Sequence, residues 1–239
     1  MAKPAAGGGR WVDVATERLG RWLARFHEHH AVTRTVVADR IVRVEAADGA
    51  LAECHVPFPP LAPEGHDENY PGLAAEPLIT HAQRDRMVGV LLVRLGGHAA
   101  GVFHGTRLVA SKVDARPVHG RNKAGGQSQK RFQRRREEQA RVATAAAGRV
   151  AERVLLPHVD DLEAVVLGGD RRAIDALRDD RRLRPVFALA TDRFLSVPDP
   201  KRAVLERTPQ QFRAVRIRVL EPASPANVGH ASGEHHPDS

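Results

Sequence analysis

The chain has one cysteine, Cys54, in 239 residues, which excludes a disulfide framework and a cysteine-rich zinc site. Aromatic residues make up 4%, too few for a surface built from many stacking rings. No run of about 18 apolar residues occurs, so no transmembrane helix is expected. The opening MAKPAAGGGRW has no apolar signal core, and a reducing, cytoplasmic setting is expected. Lysine is scarce among the 37 basic residues, which are mostly arginine. What is present suffices for a folded protein. A chain 42% hydrophobic and 28% charged can bury a core, so wholesale disorder is excluded, and the length admits one large domain or two small ones.

The net charge of +8 is concentrated. Lys112, Arg116, Arg121, Lys123, Lys130, Arg131, Arg134, Arg135, Arg136 and Arg141 are opposed only by Asp114, Glu137 and Glu138. The rest of the chain is nearly neutral. A local excess of this kind is the footprint of a polyanion contact; the plainer reading is a solvated arginine-rich helix face.

Patterning suggests four parts: a disordered N-terminus over 1–9, an N-terminal helix, hairpin and proline-rich loop over 10–80, an α/β unit over 81–221, and a disordered tail over 222–239. Leu19, Trp22, Leu23 and Phe26 recur at helical spacing, predicting a helix over 16–29 with Thr16 as N-cap. Two strands, 40–46 and 51–56, flank the turn signal Asp48-Gly49. Six prolines between 57 and 80 predict a long mobile loop. The apolar run 87–95 and strands 99–104 and 107–114 form a meander. A long helix over 129–156 follows, with the stripe Phe132, Ala140, Ala143, Ala147, Val150 and Val154, stopped by Pro157. Strand 162–167, helix 171–178, strand 186–190, a short helix 202–207 and a strand alternating at Val215, Ile217 and Val219 complete an α/β order with a mixed sheet.

The informative segment is HGRNKAGGQSQKRFQRRREEQ, from His119 to Gln139. Gly125-Gly126 lets backbone approach a ligand closely because no Cβ intervenes. Gln127 offers one amide donor group and one carbonyl acceptor, and the basic residues around it would track a nucleic-acid backbone. The loop holds no Ser/His/Asp set, metal cluster or carboxylate pair, so a reaction that needs strong general acid–base help is not expected. A neutral amide suits an electrophile that is already reactive, such as the ester joining a peptide to the 3′ end of tRNA. There, water has only to be placed and an oxyanion stabilised.

His-Gly-Arg, Gly-Gly-Gln-Ser, then Arg-Phe and a basic helix resemble the GGQ loop in the middle domain of eukaryotic and archaeal class-1 peptide release factors. The segment is similar above all to the Vms-like release-factor group and its actinobacterial peptidyl-tRNA hydrolases. The resemblance is strongest over about 87–170, where VLGGD at 166–170 adds to it. It implies an RNase H-like mixed sheet, a long basic helix after the GGQ loop, and Gln127 as the catalytic glutamine preceded by Gly125 and Gly126. Asn122-Lys123-Ala124 lengthens the loop relative to the release factors. The Vms-like Gly-x-x-Gln spacing is met by Gly126 and Gln129, so Gln129 is a rival. The RNA contacts implied are Arg121, Lys123, Lys130, Arg131, Arg134, Arg135 and Arg136.

The expected function is therefore codon-independent hydrolysis of peptidyl-tRNA on stalled ribosomes or large subunits. The expected partners are the large-subunit peptidyl-transferase centre, peptidyl-tRNA and rRNA, with a monomeric protein, no metal, no cofactor and no membrane. The alternative is a non-catalytic module that binds rRNA or tRNA; a weaker third reading is a metal-dependent nuclease. Three other features have structural readings: His27, His29 and His30 at a helix C-terminus, Trp11 and Trp22 in the core, and Cys54 as a small buried hydrophobe.

Overall fold

A computed structural model of the chain describes residues 3–5, 7–94, 97–115 and 129–222, with the side chains of residues 3, 115 and 129–140 outside the description. The first unit contains β1 (Lys3–Pro4), β2 (Arg10–Val14), α1 (Leu19–His30), β3 (Val32–Val37), β4 (Ile41–Ala46), β5 (Leu51–His55), β6 (Glu68–Pro71) and α2 (Glu76–Gln83). The second contains β7 (Met87–Arg94), β8 (Gly97–His104), β9 (Arg107–Ala115), α3 (Gln129–Leu155), β10 (Ala164–Gly169), α4 (Arg171–Arg178), α5 (Arg184–Ala188), β11 (Ala190–Leu195), α6 (Arg202–Glu206) and α7 (Thr208–Phe212). The last strand, β12 (Val215–Leu220), returns to the first unit.

The second sheet has the order β11-β10-β7-β8-β9. β7, β8 and β9 form an antiparallel meander, and β10 and β11 add parallel to β7. This is the RNase H-like topology that the resemblance to release factors implied. The apolar run in β7 is buried on both faces, as a central strand requires. One face packs against α3, α4 and α5 through Ala147, Val150, Val154, Ile174 and Leu177. The other packs against Leu205 and Phe212 of α6 and α7. Ala143 is half-buried, while Phe132 and Ala140, the first two residues of the expected stripe, lie outside the described side chains.

The expected N-terminal helix and hairpin are part of a larger sheet, β1-β2-β12-β5-β4-β3-β6. β12 has the alternating burial that Val215, Ile217 and Val219 imply, but it pairs with β2 and β5, not with the meander. Its apolar residues fill the first unit's core together with Val44, Cys54 and Leu23. Gly7, Gly8 and Gly9, expected to fray, run at positive φ beside β12. There the Arg218 guanidinium donates to the Gly7 and Gly8 carbonyls. The proline-rich stretch 57–80 holds β6 and the first half of α2. Thr16 is not an N-cap: it opens a 3-10 turn over 16–18, is buried, and donates to Glu17.

Candidate active site

The GGQ loop is anchored between an edge strand and a helix. β9 pairs with β8 along its length, up to Ala115 opposite Gly97, and α3 begins at Gln129. β9, β10 and β11 all run parallel to β7, so their carboxyl ends share one end of the sheet. The loop departs from that end, and α3 returns along the sheet. From Ala146 to Leu155 the helix buries Ala147, Val150, Ala151 and Val154 against Ala100 and Val102 of β8. Arg141, Val142 and Ala145 are exposed.

Several described side chains fix this end. Arg94 donates to the Val197 carbonyl at 2.9 Å and pairs with Asp199 at 3.3 Å. Asp170 caps α4 by accepting from the Arg172 N–H at 2.9 Å, while its own N–H donates to the Val93 carbonyl at 2.7 Å. The Arg171 guanidinium lies 4.2 Å from the centroid of the Phe194 ring. His98, buried on β8, has Nε2 3.8 Å from Asp114 Oδ2 on β9, one residue before the strand ends. Sequence reasoning treated Asp114 only as an opposing charge and did not single out His98. The pair is visible only once the β8–β9 register is known. It lies across the last residues of the strand from which the loop leaves.

Gly125, Gly126, Gln127, Arg121 and Lys123 lie outside the described residues. Gln129 is the first residue of α3. Lys130, Arg131, Arg134, Arg135 and Arg136 fall in its first two turns, with their side chains outside the description. Among the described residues no group of three or more His, Cys, Asp or Glu is placed to hold a metal. His27 Nδ1 accepts from the Val32 N–H, His29 Nδ1 sits 2.7 Å from the Arg25 carbonyl, and His30 Nδ1 sits 2.8 Å from Asp48. Cys54 is fully buried, and burial pushes its thiol up to about 12, so it is no nucleophile at neutral pH. Trp22 stacks on Phe26, whereas Trp11 stands outside the first unit's core, half-buried on the opposite face of the sheet.

The family model of the Actinobacteria/chloroflexi VLRF1 release factor matches residues 86–218, more than half of the chain. The chain belongs to this family. The match runs from the residue before β7 into β12, so it takes in the whole RNase H-like sheet, the GGQ loop and α3. The peptide chain release factor subunit 1 of Archaeoglobus fulgidus is 29% identical over 94 residues. That stretch is 39% of this chain, and the chain spans less than a quarter (23%) of the archaeal protein. Among solved structures, the archaeal translation termination factor aRF1 aligns over 84% of this chain and 73% of its own, at 12% identity and a TM-score of 0.39. Dom34 of S. cerevisiae, a translation termination-like factor, aligns over 87% and 66% at 9% identity and 0.32. Strand order, not these scores, carries the fold assignment. No helix among the described residues is long and apolar enough to cross a membrane.

Proposed function

We propose that this VLRF1-family chain is a codon-independent peptidyl-tRNA hydrolase that frees nascent chains from stalled ribosomes or large subunits in the cytoplasm. The observation that carries the reading is the tripeptide Gly125-Gly126-Gln127 between an edge strand and the arginine-rich start of α3, in a chain of a release-factor family. Water attacks the ester carbonyl carbon; the bond to the tRNA ribose oxygen breaks, that oxygen leaves with a proton, and the peptide departs as its carboxylic acid. The Gln127 N–H stabilises the oxyanion and its carboxamide orients the water. Gly125 and Gly126 permit the close approach. Arg121, Lys123, Lys130, Arg131, Arg134, Arg135 and Arg136 take up phosphates of rRNA and tRNA beside the peptidyl-transferase centre. The protein acts as a monomer without metal or cofactor.

Release of labelled peptide from ribosome-bound peptidyl-tRNA tests this, with and without a stop codon in the A site. Gln127→Ala is expected to lower the rate by about 100-fold or more while ribosome binding persists. Gln129→Ala is expected to leave release intact. Unchanged release by the Gln127 variant refutes the assignment, and dependence on the stop codon refutes codon independence. The second reading, a binding module without catalysis, is favoured by the same charge cluster, since binding needs only the arginines. It predicts no release by the unmodified protein, and binding whose salt slope shrinks in Arg134→Ala/Arg135→Ala.

A further inference from the structure

The two faces of the first sheet differ in chemistry. One buries Val44, Cys54 and Ile217 in the core below α1 and α2. The other carries a cross-strand row in register over β2, β12, β5 and β4: Trp11, Arg218, Glu53 and Arg43. Arg216 and His55 sit opposite each other in the next row on the same face. The exposed Arg216 guanidinium lies over the Trp11 ring, 4.2 Å from its centroid, and the His55 ring meets Trp11 edge-on at 5.0 Å. Glu53 is matched by Arg218 at 3.2 Å, and Asp13, opposite Arg216, is matched by Arg193 at 3.4 Å. Among the described residues no carboxylate pairs with Arg43 or Arg216 at ion-pair distance, so the face keeps unspent positive charge. Burial holds the His55 imidazole below its ordinary range; Glu53 works against this, and Arg216 and Arg218 add to it. The ring is therefore neutral at pH 7.

We propose that this outer face is a second nucleic-acid site, taking two or three unpaired RNA nucleotides by stacking on Arg216 and Trp11 and by phosphate contact with Arg43. Unpaired bases stack on aromatic rings and on guanidinium planes. A guanidinium already held over an indole is ordered before the base arrives, so less entropy is lost on binding. Trp11 and Arg43 stand three strand spacings apart, about 14 Å, a span that fits a short single strand on a sheet. Duplex RNA offers no open base planes and is excluded from the stacking mode. The site uses none of the residues of the GGQ loop and does not depend on the release reading.

The test uses the full chain in a Trp22→Phe background, which leaves Trp11 as the sole tryptophan. Arg134→Ala/Arg135→Ala/Arg136→Ala is added to silence the start of α3. A labelled oligouridine of eight nucleotides is followed by anisotropy, together with Trp11 emission. Binding is expected to quench Trp11. Arg216→Ala is expected to weaken affinity about tenfold, and Trp11→Ala by a similar factor, with unchanged far-UV circular dichroism. A matching RNA duplex is expected to leave Trp11 emission unaltered. Absence of quenching, full affinity in Arg216→Ala, or equal quenching by the duplex each overturns the proposal. Should Trp11→Ala fail to fold, the exposed Arg216 carries the test. Gln127→Ala is expected to leave the quenching intact, which separates this site from hydrolysis.

Discussion

At Gly169 the chain leaves β10 with φ +99°, and a Cβ there would meet the Val93 carbonyl oxygen at 2.1 Å. Gly49 has a similar φ, +87°, in the turn between β4 and β5, but open space around it. The pair separates backbone strain from collision. Gly49→Ala is expected to cost about 1–2 kcal/mol, the left-handed penalty alone. Gly169→Ala should cost clearly more, because backbone on a central strand cannot step aside. Urea midpoints at unchanged m-value measure both, and equal losses would refute the distinction. A titrating side chain gives a second residue-scale prediction. His81 Nε2 lies 2.9 Å from the Pro57 carbonyl oxygen and 3.1 Å from both the Phe58 carbonyl oxygen and Arg86 Nη2. Burial, then the Arg86 charge, hold its pKa below the usual 6.5, against the two carbonyl contacts. The fold therefore favours the neutral ring. Its contribution is complete above about pH 6.5 and is lost as pH falls below that value toward the depressed one. Unfolding free energy should fall between about pH 7 and pH 5, with a shallower slope in His81→Gln; an unaltered slope would remove His81 from the account. The residues proposed to carry the chemistry, which lie outside the described residues, were legible as candidates because a glutamine after two glycines, ahead of arginines, has few structural reasons to exist. His98 was not, because its partner Asp114 is sixteen positions away and meets it only across a strand pair.

α3 shows what a sequence announces at the element scale. Its apolar spacing and Pro157 mark both the helix and its end: the helix stops at Leu155, and a 3-10 turn over Leu156–His158 contains the proline. The sequence predicts a strand over 186–190, and the structure differs there. Pro185 instead opens α5, and the strand is the next six residues, Ala190–Leu195. Val186 and Phe187 satisfy a strand's preference, but a proline in the first helical turn costs nothing and sets φ for a helix. β3 and β6 went unseen for a different reason: β6, Glu-Asn-Tyr-Pro, has no apolar alternation and exists because β3 offers it an edge. Inside α3, Gly148 is a local choice that works against the helix. A Cβ there would meet Leu177, Asp180 and Leu183 at 3.4–4.0 Å, ordinary contact distances. Gly148→Ala should therefore stabilise the protein by about 0.5–1 kcal/mol, seen as a higher melting temperature. A lower one would mean that α3 bends or shifts at that point.

The whole molecule is knitted by β1, β2 and β12, the first and last described strands, which share one sheet. β12 lies between β2 and β5, so the first unit is completed only after the second has been threaded. Sequence order could not show this, because alternation in Val215–Leu220 specifies a strand and not its neighbours. Just before β12, Phe212 is buried and meets two rings edge-on: Phe103 of β8 at 5.9 Å and Phe58 of the proline-rich stretch at 6.0 Å. Arg86 joins the same junction, buried, with its guanidinium 5.4 Å from the centroid of Phe58 and donating to the His81 carbonyl. Arg40–Asp192 and Arg193–Asp13 add exposed ion pairs, which contribute little. Coupling between the two sheets thus rests on the two edge-on contacts that join Phe58, Phe212 and Phe103. The unmodified protein should unfold in one calorimetric transition. Phe212→Ala removes the central ring at a cost of about 3–5 kcal/mol, and because that ring belongs to both neighbours, it should split the transition in two, with the first sheet melting earlier. A conservative Phe212→Leu, which keeps apolar volume between the outer rings, should keep the single transition at a lower temperature. If Phe212→Ala melted in one step, the sheets would be held together by the β12 crossover itself, and the aromatic row would be packing without coupling.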